Sequence, residues 1–188
     1  MLDVRRHLTF RPMTFILHKD FPGDPGDDLA EFAARHDRYR EYLVANRDRF
    51  PPSAYAFATA HWRLDPADHR CPHDSWVESL TLLEPSSGEH CENRGLEIRL
   101  RLLGAYHDGY LNLAYSGVLS YTLDTPSDFT LPPFGVGHGD WLVDEVRLSD
   151  RGHPLHEIEF SRGSRWVIEC GDITYHWEES VDSPMPPN

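Results

Sequence analysis

The stretch Gly95-Leu96-Glu97-Ile98-Arg99-Leu100-Arg101-Leu102-Leu103 decides the fold. In an extended chain Leu96, Ile98, Leu100 and Leu102 fall on one side and Glu97, Arg99 and Arg101 on the other, so the segment reads as a strand with one face in a core and one in water. Outward from it, similar short runs recur at Trp76–Leu83, Tyr110–Tyr115, Val118–Leu123, Trp141–Leu148, Leu155–Phe160 and Trp166–Trp177. Turn residues separate them: Pro85-Ser86-Ser87-Gly88, His107-Asp108-Gly109, Ser116-Gly117, Asp150-Arg151-Gly152 and Arg162-Gly163. Asp108-Gly109 supplies the positive φ angles of a tight hairpin, which makes Gly95–Leu103 and Tyr110–Tyr115 antiparallel neighbours. The same reasoning pairs the runs on either side of Asp150–Gly152 and of Arg162–Gly163.

Ahead of the strands the period changes. From Leu29 to about Arg47 the apolar residues Leu29, Phe32, Tyr39, Tyr42 and Leu43 recur every three or four positions, an amphipathic helix. Asp27 or Asp28 is placed to cap it, with Glu31 as the capping-box acid. Phe50-Pro51-Pro52 ends it, and the alanine-rich Ser53–Ala60 adds two helical turns. Together these readings predict an α+β fold: a curled antiparallel β-sheet or sandwich of about seven to eight strands with one long N-terminal helix packed against it. Residues 13–179 form a single domain, in which Met13–Asp20 is a short strand, Phe21–Asp28 a loop and Thr125–Gly139 the longest irregular connection. Residues 1–12 are an N-terminal extension, leaving Met1 and Met13 as alternative starts, and residues 180–188 a disordered tail.

Composition bounds the function. The chain has 188 residues, enough for one domain that buries roughly 70% of its unfolded surface. Its formal net charge is −13, from 18 Lys+Arg and 31 Asp+Glu. Residues 1–50 hold nine acids and nine bases, so the whole deficit lies in residues 51–188. That argues against phosphate-backbone recognition, which needs clustered Lys and Arg, and against an anionic membrane surface; it favours a basic protein partner, or none. No run of 18 apolar residues is present and the N-terminus lacks the pattern of a signal peptide, so a cytoplasmic protein is expected. Three cysteines fit a reducing compartment.

Three groups of residues carry candidate chemistry. In an extended segment His69, Cys71 and His73 share a side, and imidazole and thiolate are zinc donors, with Asp74 or His90 as the missing fourth ligand; the plainer reading is a turn fixed by Pro72. Histidines stand beside acids at His73-Asp74, His107-Asp108 and His138-Gly139-Asp140, the raw material of acid–base catalysis and equally of polar hairpin tips. No nucleophile elbow or phosphate loop accompanies them, and no catalytic residue is assigned. In Trp141-Leu142-Val143-Asp144-Glu145-Val146-Arg147-Leu148, alternation puts Asp144 on one face with Leu142, Val146 and Leu148. A carboxylate there needs a partner. His156, beside Ile158 and Phe160, is placed to meet it across adjacent strands, with a core arginine or tyrosine as the other candidate. Asp74, Trp76, His107, Asp108, Asp140, Trp141, Asp144, Glu145 and His156 are therefore the candidate pocket or partner surface.

At the strings His69–Leu80, Leu102–Leu111, Gly137–Ser149 and His156–Cys170 the chain resembles a family of small uncharacterised bacterial α+β domains, with a His-Asp-x-Trp segment and a Trp-Leu-x-Asp-Glu strand, similar to immunity proteins of bacterial toxin systems. The resemblance covers residues 13–177. It implies an α+β fold, a cytoplasmic location and a toxin-neutralising role, and it carries no catalytic residues. The expected function is a protein-binding module, an immunity protein docking a basic toxin on its acidic β face; the alternative is a metal-binding protein or metal-dependent enzyme using His69, Cys71 and His73.

Overall fold

The computed structural model describes residues 14–17, 29–125 and 137–180. The N-terminal extension with its alternative starts, the proline-rich loop with its capping aspartates, most of the connection between Thr125 and Gly139, and the tail from 181 lie outside the described residues. Ten strands organise the rest: β1 (Trp76–Leu83), β2 (Ser86–Ser87), β3 (Asn93–Arg94), β4 (Glu97–Leu103), β5 (Gly109–Ser116), β6 (Ser120–Leu123), β7 (Trp141–Leu148), β8 (Pro154–Phe160), β9 (Arg165–Glu169) and β10 (Asp172–Glu179). They form two four-stranded antiparallel sheets, ordered β1-β4-β5-β10 and β6-β9-β8-β7, with β2-β3 as a small ribbon.

β4 lies between β1 and β5, with Leu100 opposite Leu80 on one side and Leu113 on the other. A strand with neighbours on both edges keeps its alternation strict, and Ile98, Leu100 and Leu102 are buried in the core. The 150–152 and 162–163 turns join β7 to β8 and β8 to β9 as antiparallel pairs. In the β4–β5 turn the positive φ falls on His107 (58°), not on Asp108-Gly109. Gly109 has another reason to be glycine: a Cβ there would sit 2.2 Å from Trp177 Cζ2 and 2.8 Å from the Glu178 carbonyl. Gly109→Ala is expected to cost about 1–3 kcal/mol by overpacking, read as a lower urea midpoint; an unchanged midpoint contradicts the contact.

The run Trp166–Trp177 is two strands in different sheets. Gly171 marks the break; its N–H is 2.9 Å from both the Ser116 and Gly117 carbonyls, an approach a side chain would crowd. Ser116-Gly117 is likewise a corner and not a hairpin, since β5 belongs to one sheet and β6 to the other. These paired corners join the sheets at one side. A bridge between Trp76 and Asp140 joins them at another.

Helical structure is divided among α1 (Leu29–Ala45), α2 (Pro52–Ala58) and two 3₁₀ turns, Arg47–Arg49 and His61–Leu64, rather than gathered in one helix. Pro52, read as a terminator, also opens α2, where proline's missing N–H costs nothing. Asp172 of β10 accepts from Ser53 Oγ and from the Ala54 N–H, capping α2 from across the chain. α1 meets the edge of β7 through two tyrosines three residues apart. The Tyr39 hydroxyl donates to the Val146 carbonyl (2.9 Å) and accepts from the Val146 N–H (2.9 Å), and Tyr42 accepts from the Leu148 N–H (2.8 Å). Edge backbone that would otherwise be unpaired is thereby satisfied. Residues 14–17 form no strand; the Phe15 and Ile16 amides donate to the Glu145 carboxylate (2.7 and 2.8 Å). Among the described residues no helix is long and apolar enough to cross a membrane.

Candidate functional site

β7 begins with an irregularity. Its register against β8 shifts between Trp141 and Val143, and Leu142 turns outward with 44% of its surface exposed, leaving the apolar face expected for it. The shift lets Trp141 and Asp144 both point inward, so that Trp141 Nε1 donates to Asp144 Oδ1 (3.1 Å). The other oxygen, Oδ2, takes a bond from the guanidinium of Arg63, a buried residue of the second 3₁₀ turn, and from His156 Nε2 at 2.8 Å. The Asp144–His156 contact and a core arginine partner are both present.

The protonation states follow from these bonds. Burial, the largest influence on Asp144, would raise its carboxyl, but Arg63 and His156 outweigh it and hold the group well below the usual carboxylate range. Burial lowers His156 despite the carboxylate beside it. A neutral imidazole has one donor and one acceptor, and a carboxylate only accepts. Nε2 therefore carries the hydrogen, and Nδ1 accepts from the Tyr115 hydroxyl at 2.9 Å. Burial also pushes the Tyr115 phenol up, which keeps that donor protonated. Tyr115 belongs to the first sheet and His156 to the second, so the chain Tyr115–His156–Asp144–Arg63 clamps the sheets to the 3₁₀ turn.

Above the clamp lies a cavity of about 290 Å³. Its walls are mainly apolar, from Ile16, Leu64, Pro66, Pro72, Trp141, Leu142 and Val143, while Arg63, Asp144, Cys71, His36 and His73 complete the lining. Cys71 is buried with Sγ 3.3 Å from the Arg63 carbonyl, and burial raises its thiol, the opposite of a reactive cysteine.

His69, Cys71 and His73 are not brought together. The Asp68 and Cys71 amides donate back to the Asp65 and Asp68 carbonyls (2.9 Å each), so the segment turns and its side chains no longer alternate. His69 pairs with Asp108 and stacks on Tyr106 at 4.1 Å, Cys71 points inward, and His73 Nδ1 is 2.8 Å from the Leu142 carbonyl oxygen. Among the described residues no group of three or more His, Cys, Asp and Glu is arranged to hold a metal. Cys71, Cys91 and Cys170 are all free thiols.

Beside the cavity runs a broader rim whose residues contact the lining or one another. Leu64 (45% exposed) and Leu142 flank the opening; Tyr106 (51%) donates its hydroxyl to the Pro66 carbonyl; Trp76 (40%) packs against His107 at 4.6 Å. Asp74, Asp108 and Asp140 sit among them, tied respectively to the Trp141 carbonyl through the Asp74 N–H, to His69, and to Trp76 through the bridge. Asp74 (φ 62°) and His107 hold left-handed backbone conformations that few side chains adopt. Of the sequence-derived surface, then, Asp74, Trp76, His107, Asp108 and Asp140 lie on this rim, with Asp108 in one shallow pocket and Trp76 and Asp140 in another, while Trp141 and Asp144 line the cavity and His156 is buried behind Asp144. Glu145 is elsewhere, buried on the other side of β7 beside Arg147.

The acids of the second sheet are not an open face. Glu145, Glu157 and Glu169 are buried, with Arg147 on the first, Arg147 and Arg165 on the second and Arg151 on the third. Exposed acids lie instead in connections, at Asp74, Glu84, Glu89 and Glu92, and on the edge strands of the first sheet, at Glu78, Glu178 and Glu179, where Arg101 pairs with Glu78 and Glu178. Tyr106, Leu64 and Arg63 escaped the sequence reading; only the apolar positions of Leu64 and Tyr106 in otherwise polar loops could have signalled them.

The arrangement is a recessed, mainly apolar site beside a rim of aromatic and acidic side chains, with the buried Arg63–Asp144 ion pair in its lining and Arg63 Nε left without a partner. No family model, no curated protein and no solved structure matches the chain.

Proposed function

We propose that the chain is a protein-binding module that receives a basic polypeptide on the rim, in the manner of an immunity protein neutralising a basic toxin. The observation that carries this reading is the exposure of Leu64, Trp76, Tyr106, Leu142 and Asp74, with half-buried Asp108 and Asp140, along one rim connected contact by contact to the cavity lining. Solvated apolar side chains in a cluster gain from being covered. Aromatic faces and carboxylates both attract Lys and Arg, and a net charge of −13 speeds encounter with a cationic partner.

Calorimetric titration with peptides of equal length and opposite charge tests it. Basic peptides bind, acidic ones do not, and affinity falls as salt rises from about 50 mM to about 500 mM. Trp76→Ala and the pair Asp74→Asn, Asp140→Asn each weaken binding by about tenfold, a loss of about 1.4 kcal/mol, without lowering the melting temperature. Equal binding of acidic and basic peptides, or indifference to the rim substitutions, refutes the reading.

A further inference from the structure

We infer that the open edge of β1 along Ser79–Leu83 takes an extended segment of the partner as an added strand, with apolar residues at alternate positions and a lysine or arginine at each end. The inference rests on the rim reading, because the rim residue Trp76 opens β1, and it specifies the form in which the basic polypeptide binds. An outer strand presents a row of unpaired N–H and C=O groups, which folded proteins guard. The other three outer strands of the two sheets are engaged or short. Tyr39 and Tyr42 bond to the backbone of β7, α2 lies against β10 through Phe57 and Tyr175 (5.7 Å) and the Asp172 cap, and β6 has four residues. β1 has eight residues and carries neither lysine nor proline. Its start is held by the Trp76–Asp140 bridge and its register shifts between Val77 and Ser79, but from Ser79 to Leu83 its pairing with β4 is regular. Among the described residues β4 alone pairs with that run, so the opposite edge is open.

Side chains set the pattern of the added strand. Leu80 and Leu82 lie opposite Leu100 and Ile98, on the core side of the sheet, while Ser79 and Thr81 lie opposite Arg101 and Arg99 on the outer side. Leu82 is nonetheless 44% exposed, for want of a neighbour beyond β1. A strand along this edge covers Leu80 and Leu82 with its own apolar residues at every second position, and its backbone satisfies the open groups. Charge then chooses the occupant. From Cys71 to Asn93 the chain has Asp74, Glu78, Glu84, Glu89 and Glu92 and no lysine or arginine. Arg101, which meets Glu78 from β4, is shared with Glu178. A second copy is opposed: two-fold pairing centred on Thr81 sets Glu78 of each copy opposite Glu84 of the other, and like charges so placed destabilise a strand pair. A strand with a base at each end meets both glutamates with opposite charge.

The test uses the full chain and the end-blocked peptide Lys-Thr-Val-Thr-Val-Thr-Lys, followed by amide resonances and hydrogen exchange. Shifted resonances and slowed exchange are expected at Ser79–Leu83. Methylating the backbone nitrogens of the valines, or instead those of the threonines, removes donors from one edge of the peptide or the other. One of the two methylated peptides is expected to bind about tenfold more weakly than the other, because only one edge faces β1. Leu82→Arg is expected to weaken the unmodified peptide about tenfold without lowering the melting temperature; the methylated pair decides the matter on the wild-type chain should that variant fold poorly. Equal affinity of the methylated peptides, or basic-peptide binding that Trp76→Ala weakens and Leu82→Arg does not, overturns the added strand and leaves the rim reading standing. A dimer of the chain that slows exchange at Ser79–Leu83 without peptide gives the edge to a second copy and overturns the proposal. If no basic peptide binds, or glutamate in place of lysine changes nothing, both readings fall.

Discussion

Replacing Arg63 by methionine lowers stability by about 3–5 kcal/mol, the range for breaking a buried ion pair from one side. Arg63 and Asp144 are both buried, and Arg63 also donates to the Ala58 carbonyl at 2.9 Å. Methionine keeps most of the volume but leaves Asp144 with only His156 and Trp141 as donors. The loss therefore lies in stranded charge more than in packing, and a second substitution separates the two. Asp144→Leu in the Arg63→Met background removes the stranded carboxylate and is expected to recover more than half of the loss, because a buried pair replaced by apolar groups is often neutral. Full recovery is not expected, since His156 Nε2–H then has no acceptor, a cost of about 1–3 kcal/mol. Urea midpoints of the wild type and the variants measure this. A double variant no more stable than Arg63→Met alone assigns Arg63 to packing and sinks the argument.

The strands were readable where packing is symmetric. Ile98, Leu100 and Leu102 alternate because β4 has a partner on each edge, and nothing distant is needed to see it. Corners were not readable. Trp166 to Trp177 keeps an extended pattern through Cys170-Gly171, and only the close approach of Ser116 and Gly117 shows why Gly171 ends one strand and sends the next into the other sheet. The clamp was half visible. Asp144 is an anomaly inside its own strand, and His156 one inside the next hairpin, so short-range alternation could pair them. Arg63 lies 81 positions away in a 3₁₀ turn, where local sequence has no period to violate. Leu142 departs from its alternation for a related reason, because a bulge displaces one residue and is defined only by the partner's register. The His69, Cys71 and His73 triad failed at its premise of extended chain; the Asp65–Cys71 turns rotate each side chain a different way. Charge was readable as a sum and not as a surface, since Glu145, Glu157 and Glu169 count in the total yet lie buried against arginines.

Acid destabilises this fold in two steps that belong to different members of the clamp. His156 is neutral in the folded chain because burial lowers its pKa, whereas in the unfolded chain it titrates near 6.5. Below about pH 6.5 the unfolded state binds a proton that the folded state refuses, so stability falls as pH falls, by at most about 1.4 kcal/mol per pH unit for one whole proton. His138, half-buried with Nδ1 2.8 Å from Ser164 Oγ, is lowered by burial as well and adds in the same direction. Asp144 acts later. Its folded pKa lies well below the unfolded value near 3.9, so its contribution is complete above about pH 4 and is lost as pH falls further, through the folded pKa. Urea midpoints taken from pH 8 to about pH 3 should therefore decline first from about pH 6.5 and more steeply below about pH 4. His156→Gln lowers stability at every pH, since glutamine cannot reproduce both the Tyr115 and Asp144 bonds at the same positions. Its diagnostic effect is on slope: the decline between about pH 6.5 and pH 4.5 becomes shallower while the decline below about pH 4 persists. Removing Asp144 as Asp144→Leu together with Arg63→Met does the reverse, flattening the lower limb. A profile whose upper limb survives both His156→Gln and His138→Gln rejects the assignment of that limb to buried neutral histidine.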